Sequence, residues 1–432
     1  MTREVSYPTL GRTLDNGLRV VVNPTPGLGV VAVNLWYDVG SRHEQPHRQG
    51  FAHLFEHLMF QGSRHVKSGD HFALLQGRGG SLNATTSFDR TNYFESGPSG
   101  ILDLALWLEA DRMAFLADAL TQENFANQVD VVAQERSQRM DNVPYGTVFE
   151  KILPLVFAAD HPYGHLPIGN MRHLAEATLD EVSEFHSTYY MPNNAVLTIV
   201  GDVVAEAAFT KAETYFGHIR PGDAPKRDVG VPLPPVSAPV RIHIDDEVPA
   251  PAVWFAARLP ADEPRARGLA AVDLATSILG QGETSRLHRR LVRQDEVALS
   301  AGMGLNTRIA GNSLGIASVR ALPGGDLDEV VDTVSDVLHT FADSGPLDEE
   351  LAMARAQAQR DWLDEMGTAS GRADAISGCV LLFDQPELLN ERLELLASIT
   401  PDEVREAARE WLLPLLNAQA RVLPTGHLEE QV

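Results

Sequence analysis

The strongest constraint on the fold is a proline-rich stretch that divides the chain into two parts of similar length. Residues 220–239 contain six prolines among twenty residues. Proline fixes φ and removes a backbone donor, so this stretch favours extended backbone and excludes a helix. We therefore predict a first domain at 1–219, a linker at 220–239 and a second domain at 240–432. The length of 432 residues agrees with two domains.

Hydrophobic periodicity predicts strands and long helices in both parts. A hairpin turn at Asp15-Asn16-Gly17 opens the first part. Its predicted strands lie near 20–22, 30–39, 81–87, 91–96 and 195–200, and its helices near 50–60, 70–76, 101–116, 122–140, 179–189 and up to 215. The second part repeats this pattern loosely, from strands near 240–244 and 253–259 to a last strand at 418–423. The predicted fold class is α+β, with two similar α/β-sandwich domains in tandem.

Composition excludes several classes of function. The formal charge is −24, from 59 acidic and 35 basic residues, which argues against nucleic acid or an anionic membrane as partner. The single cysteine, Cys379, can form neither an intrachain disulfide nor a thiolate zinc cluster. The first residues contain no apolar segment typical of a signal peptide, and no run of 18 apolar residues occurs. We therefore expect a cytoplasmic protein without a membrane span.

A pair of histidines with a glutamate between them indicates a metal site. His53 and His57 lie one helical turn apart within GFAHLFEHLMF, so both imidazoles face one side and can bind one ion. Glu56 lies near the same face and is expected to accept a proton from an attacking water without binding the metal. The pattern is H-x-x-E-H, the reverse of the commoner H-E-x-x-H. Two imidazoles and a carboxylate suit Zn²⁺.

A hydrolytic zinc site usually has a third protein ligand and one open position. The helix predicted near 122–140 offers three carboxylates, Glu123, Asp130 and Glu135. The residue pattern alone does not choose among them.

Six segments, in the same order, resemble signatures of the pitrilysin–insulinase–mitochondrial processing peptidase family of zinc metallopeptidases. They are GFAHLFEHLMFQGS, GGSLNATTSFDRTNYFES, LWLEADRM, NQVDVVAQERSQRMDNVPYG, HPYGHLPIGNMRHL and YYMPNNAVLTIVGD. The resemblance implies that Glu135, which follows His57 after 77 intervening residues, is the third zinc ligand. It also implies that Gln128, seven residues before Glu135, hydrogen-bonds a ligand in place of the family's second glutamate.

Members of the family bind peptides as an added strand at a sheet edge. The resemblance therefore implies substrate contacts from Gly80, Ser81, Leu82, Asn83 and Ala84, with Asn83 bonded to the peptide backbone near the scissile bond. Tyr93, in the following strand, is included among the expected substrate-binding residues.

One departure from the family concerns the second part of the chain. Active members carry an Arg and a Tyr seven residues apart that clamp substrate and stabilise the oxyanion. Alignment of LHRRLVRQDEVALSAG places Val292 and Leu299 at these positions, and the last tyrosine of the chain is Tyr215. We therefore expect a catalytic subunit whose paralogous partner supplies the pair. The alternatives are a non-catalytic structural subunit, like the core proteins of the respiratory bc1 complex, and a peptide-binding module of the same fold.

Overall fold

The computed structural model describes residues 6–223 and 230–425. Residues 224–229 of the predicted linker lie outside the described residues. The strands are β1 Leu10–Thr13, β2 Arg19–Pro24, β3 Val30–Tyr37, β4 Ser81–Thr86, β5 Thr91–Pro98, β6 Ala195–Gly201, β7 Val240–Asp246, β8 Ala252–Pro260, β9 Ala298–Asn306, β10 Asn312–Ala321 and β11 Ala418–Pro424.

The helices fill the intervals between these strands. They are α1 Phe51–Leu58, α2 Asp70–Gln76, α3 Leu102–Phe115, α4 Gln122–Arg136, α5 Val148–Val156, α6 Met171–Ala175, α7 Leu179–Tyr189, α8 Ala205–Phe216, α9 Arg267–Gly280, α10 Arg286–His288, α11 Leu327–Ser344, α12 Asp348–Met366, α13 Ala369–Phe383, α14 Leu388–Ser398 and α15 Pro401–Ala407. Short π-helical turns extend α4, α10 and α15.

The first sheet has six strands in the order β1-β2-β6-β3-β5-β4. Strands β2 and β6 are parallel, and the other neighbours are antiparallel. Gly17, with a φ of 85°, closes the predicted hairpin between β1 and β2. Strands β3 and β6 are buried along nearly their whole length, because α3 packs against β3 while α13 packs against both strands.

The second sheet has five strands in the order β7-β11-β8-β10-β9. Its parallel pair is β7 and β11, and the remaining pairs are antiparallel. This order and these directions repeat the segment β2-β6-β3-β5-β4 of the first sheet. The predicted α+β class and the internal repeat are thus confirmed at the level of topology.

The two compact packing units differ from the predicted contiguous domains. The first unit groups the described residues of Met1–Glu135, His165–Arg227 and Asp361–Glu391, and the second those of Arg136–Gly164, Asp228–Arg360 and Arg392–Val432. The physical reason is that two helices pack against the sheet of the other half of the chain. Helix α13, late in the sequence, covers the first sheet, and α5, early in the sequence, packs against β8 and β11 of the second. None of the described helices is both long enough and apolar enough to span a membrane.

Candidate metal centre

Helix α1, which carries the two predicted histidine ligands, begins at Phe51 and follows Gly50 at its N-cap position. That residue has a φ of 102°, and a β-carbon there would lie 3.0 Å from the Ile168 carbonyl oxygen, so both backbone conformation and space favour glycine. The carboxylate of Glu44 accepts hydrogen bonds from the backbone N–H groups of Gly50, at 2.7 Å, and Ala52, at 2.8 Å. It thereby satisfies donors that the first turn of a helix leaves without internal partners.

The Glu44 side chain is fully buried, and its second contact is an ion pair with His165, whose Nε2 lies 2.9 Å from Oε2. Burial raises the pKa of Glu44, while the hydrogen bond and the charge of His165 oppose that shift. Glu44 and His165 together fix the start of the helix that carries His53, Glu56 and His57. Neither residue was predicted from the sequence. Glu44 lies six residues before Gly50, whereas the usual capping signal is a side chain directly before the helix, so no local pattern identifies Glu44.

Three of the predicted residues converge. Nε2 of His53 lies 3.5 Å from Oε2 of Glu135, and Nε2 of His57 lies 3.2 Å from the same oxygen. The two imidazole rings face each other edge to face, with centroids 4.9 Å apart. One donor atom from each residue lies within 4.8 Å of the other two. Glu135 reaches the histidines from the last turn of α4.

This donor set fits a zinc ion. Two ligands about 2.1 Å from a tetrahedral zinc lie about 3.4 Å apart, close to both measured nitrogen–oxygen separations. The ligand types, two imidazoles and one carboxylate, are those of hydrolytic zinc sites that keep one position open. Of the three carboxylates that the residue pattern left open, Glu135 is the one that meets the histidines. Glu123 and Asp130 are exposed on α4 and do not belong to the cluster.

Glu56 lies beside this cluster without being one of its three members. Burial raises the pKa of the Glu56 carboxyl, and a hydrogen bond from Thr86 and the charge of His57 act in the opposite direction. The Thr86 hydroxyl donates to Oε2 of Glu56 at 2.6 Å. A carboxylate held beside a metal site with a raised pKa has the properties of a general base.

The predicted substrate strand is β4, the outermost strand of the first sheet among the described residues. Helix α1 packs against it, which brings the strand next to the metal cluster. Ser81 and Asn83 are exposed, Gly80 and Leu82 are partly exposed, and Ala84 is buried. The Asn83 side-chain oxygen accepts a hydrogen bond from the Ala84 backbone N–H at 2.9 Å. An open strand edge of this kind can pair with an extended peptide.

Two predicted residues are not brought to the cluster or to the surface. Tyr93 pairs with Ala84 in the sheet but is fully buried, with its phenol bonded to Tyr190 at 3.4 Å and the Arg112 guanidinium 4.2 Å above its ring. It belongs to the core, so the expectation of direct substrate contact is corrected here. Gln128 is buried, and its amide donates to Asn127 at 3.0 Å rather than to a ligand.

The two residues that the sequence alignment assigned to the clamp positions are both apolar. Val292 packs against the core of the second unit. Leu299 lies on β9 and is 49% exposed. Neither side chain can donate a hydrogen bond to an oxyanion.

Comparison with known proteins agrees with this fold. The family described as "Insulinase (Peptidase family M16)" matches residues 19–162, and "Peptidase M16 inactive domain" matches residues 176–358. The zinc protease PqqE of Helicobacter pylori is 28% identical over 400 residues, which cover 91% of this chain and 88% of that protein.

Solved structures with the same fold agree with this comparison. A crystal structure of a protease from Helicobacter pylori aligns with a TM-score of 0.87 at 26% identity, covering 97% of this chain and 99% of the other. A peptidase M16 inactive domain from Pseudomonas fluorescens has the same fold, with a TM-score of 0.84 at 17% identity and coverage of 96% and 97%. The motifs, the two repeated sheets and both family matches lead to one conclusion: the chain belongs to the pitrilysin–insulinase family, peptidase family M16.

Proposed function

We propose that this chain is the metal-binding subunit of a zinc metalloendopeptidase that cleaves small or unfolded peptides. The observation that carries the proposal is the convergence of His53, His57 and Glu135 with Glu56 beside them. These three residues would hold the ion. Zinc bound there supplies a Lewis acid that polarises the scissile carbonyl and acidifies a water molecule.

The residues of the chain have separate roles in this proposal. Strand β4 would pair with the extended peptide, with the exposed Asn83 as a backbone contact and the small Ala84 leaving room near the metal. Glu56 would take a proton from the attacking water and later return it to the leaving amine. Its burial, which raises its pKa, brings the affinity of that carboxylate for a proton closer to what catalysis near neutral pH requires.

We further propose that a paralogous chain supplies the missing oxyanion donors. Val292 and Leu299 stand where an arginine and a tyrosine are expected, and the sequence contains no tyrosine after Tyr215. A second copy of this chain would have the same deficiency, which favours a heterodimer over a homodimer. The same deficiency also supports a second candidate function, a zinc-binding subunit that binds peptides or supports an assembly without cleaving them.

Mixing experiments separate these functions. Loss of one oxyanion donor typically lowers turnover by about 100- to 1,000-fold, so the zinc-loaded chain alone should cleave an unfolded peptide slowly. Addition of a paralogue that carries Arg-x6-Tyr should raise the rate by at least that factor. The control is the same paralogue with its tyrosine replaced by phenylalanine. A lone chain that cleaves as fast as any mixture would contradict the heterodimer, and zinc binding without cleavage in any mixture would favour the second function.

A further inference from the structure

The hydroxyl of Thr86 donates a hydrogen bond to Glu56, the residue proposed as the base. Its Oγ1 lies 2.6 Å from Oε2 of Glu56, and both side chains are partly buried. Thr86 is the last residue of β4. The strand expected to receive the peptide is thus joined at its end, through one short hydrogen bond, to the carboxylate expected to take the proton.

This contact distinguishes the two oxygens of the carboxylate. Oε2 is engaged by Thr86, whereas Oε1 accepts no hydrogen bond from any described residue. The terminal torsion of a glutamate is broad, so a carboxylate without a donor samples many orientations. A hydrogen bond to a charged acceptor is among the stronger ones in proteins, and here it leaves Oε1 as the oxygen available to a substrate water.

Thr86 is itself held by its surroundings. It pairs with Thr91 in the register of β4 and β5. The guanidinium of Arg90 donates to the backbone oxygen of Thr85 at 2.9 Å and lies 4.7 Å above the Trp36 ring. The end of β4 therefore has little freedom, and the position of the Thr86 hydroxyl depends on the position of the strand.

We propose that Thr86 is a positioning residue that orients Glu56 and couples it to the strand that receives the peptide. This inference rests on the proposed function. In the step concerned, a water O–H bond breaks, the proton goes to Oε1 of Glu56, and the water oxygen forms a bond to the scissile carbonyl carbon. The bond between that carbon and the amide nitrogen then breaks, and the proton passes from Glu56 to the departing nitrogen. Thr86 exchanges no proton in this sequence and acts by holding Oε2.

The test compares Thr86→Val, which removes the hydroxyl at nearly constant shape, with Thr86→Ser, which keeps it. Misplacement of a reacting group by about 1 Å can cost about 100-fold in rate, so Thr86→Val should lower kcat by about 10- to 100-fold with KM and zinc content unchanged. Thr86→Ser should restore most of the rate. Thr91→Val is the matched control, because the Thr91 hydroxyl donates to the Val39 carbonyl instead of Glu56; its kcat should stay near that of the wild type.

A measurement without turnover accompanies the kinetics. Acetohydroxamate binds zinc and gives its proton to a neighbouring carboxylate, so its affinity for the zinc-loaded chain reports the orientation of Glu56. Thr86→Val should weaken this binding in the wild-type background and have no effect in the Glu56→Gln background. A Thr86→Val protein with wild-type kcat and acetohydroxamate affinity, while Glu56→Gln has lost both, overturns this inference alone. A wild type that binds neither zinc nor acetohydroxamate overturns the proposed function, and this inference with it.

Discussion

At the scale of single residues, the buried face of helix α1 contacts a histidine that the metal site does not use. The His186 ring stacks near Phe55 of that helix, with centroids 6.2 Å apart, and near Tyr190 at 5.7 Å. Burial lowers the pKa of His186 to about 4, although a backbone hydrogen bond at Arg112 opposes the shift. The imidazole is therefore neutral in the folded protein near pH 7.

Protonation of His186 should make the fold less stable in mild acid. An unfolded histidine takes up a proton below about pH 6.5, whereas folded His186 resists this until about pH 4. The unfolded state thus binds more protons within this window, and stability falls as the pH drops through it, by at most about 1.4 kcal/mol per unit. In His186→Phe this contribution is absent.

Denaturant midpoints at pH 7 and pH 5 check the prediction. The loss of stability between these pH values should be smaller for His186→Phe than for the wild type. The same replacement at the exposed His218 is the control. Equal losses for wild type and His186→Phe would show that this imidazole does not contribute to the pH dependence.

The sequence predicts site residues well where their side-chain types and their spacing along one element both match a known kind of site. His53, Glu56 and His57 share one helical turn, so their convergence needs only the helix. Glu135 lies on α4 and meets the two histidines of α1 only in the folded chain, and the resemblance to a family was required to choose it over Glu123 and Asp130. The burial of Tyr93 and the contact between Thr86 and Glu56 both depend on tertiary packing that no local pattern encodes.

At the scale of elements, helix α1 is short, and its first turn depends on the buried carboxylate of Glu44. The eight residues of α1 are fewer than an isolated helix needs for stability in water. Glu44 bonds two of its first N–H groups and pairs with His165. Helices α1 and α4 must both keep their positions for the metal ligands to meet.

Replacement of Glu44 by glutamine should therefore destabilise the metal-free protein. The change removes the charge of the side chain and turns an amide donor towards backbone N–H groups. Each hydrogen bond to a charged group contributes about 1.5–3 kcal/mol to the stability of the folded protein. We expect a loss of about 2 kcal/mol together with weaker zinc binding, measured by chemical denaturation and by metal titration. Glu206→Gln is the control, because that carboxylate lies in the first turn of helix α8 and is 78% exposed. Equal effects of the two substitutions would mean that Glu44 does not act as a buried cap.

Most elements could be predicted from periodicity, and their assignment to packing units could not. The capped helix α7 begins and ends where the sequence indicates, because Thr178 and Glu181 form a capping box. Helices α5 and α6 were not predicted; α5 is short and contains Pro154, which obscures its helical pattern. The packing of α13 on the first sheet and of α5 on the second depends on contacts between residues far apart in the sequence, which periodicity does not predict.

At the scale of the whole molecule, one architecture appears twice and only one copy carries the metal cluster among the described residues. Strand β9 occupies in the second sheet the edge position that β4 has in the first. In the first sheet the metal cluster lies next to the edge strand β4. In the second sheet the edge strand β9 carries the apolar residue Leu299. This asymmetry supports the division of labour between paralogous chains that we propose.

Zinc analysis of purified variants tests the central claim most directly. The wild-type chain should contain about one zinc per molecule, in keeping with one cluster of three ligands. His57→Ala and Glu135→Gln should lose most of the metal, whereas Glu56→Gln should retain it, because that carboxylate serves as base and not as ligand. A wild type that contains no zinc and takes up none when it is added, or a Glu56→Gln protein that loses zinc while Glu135→Gln keeps it, would contradict the assignment.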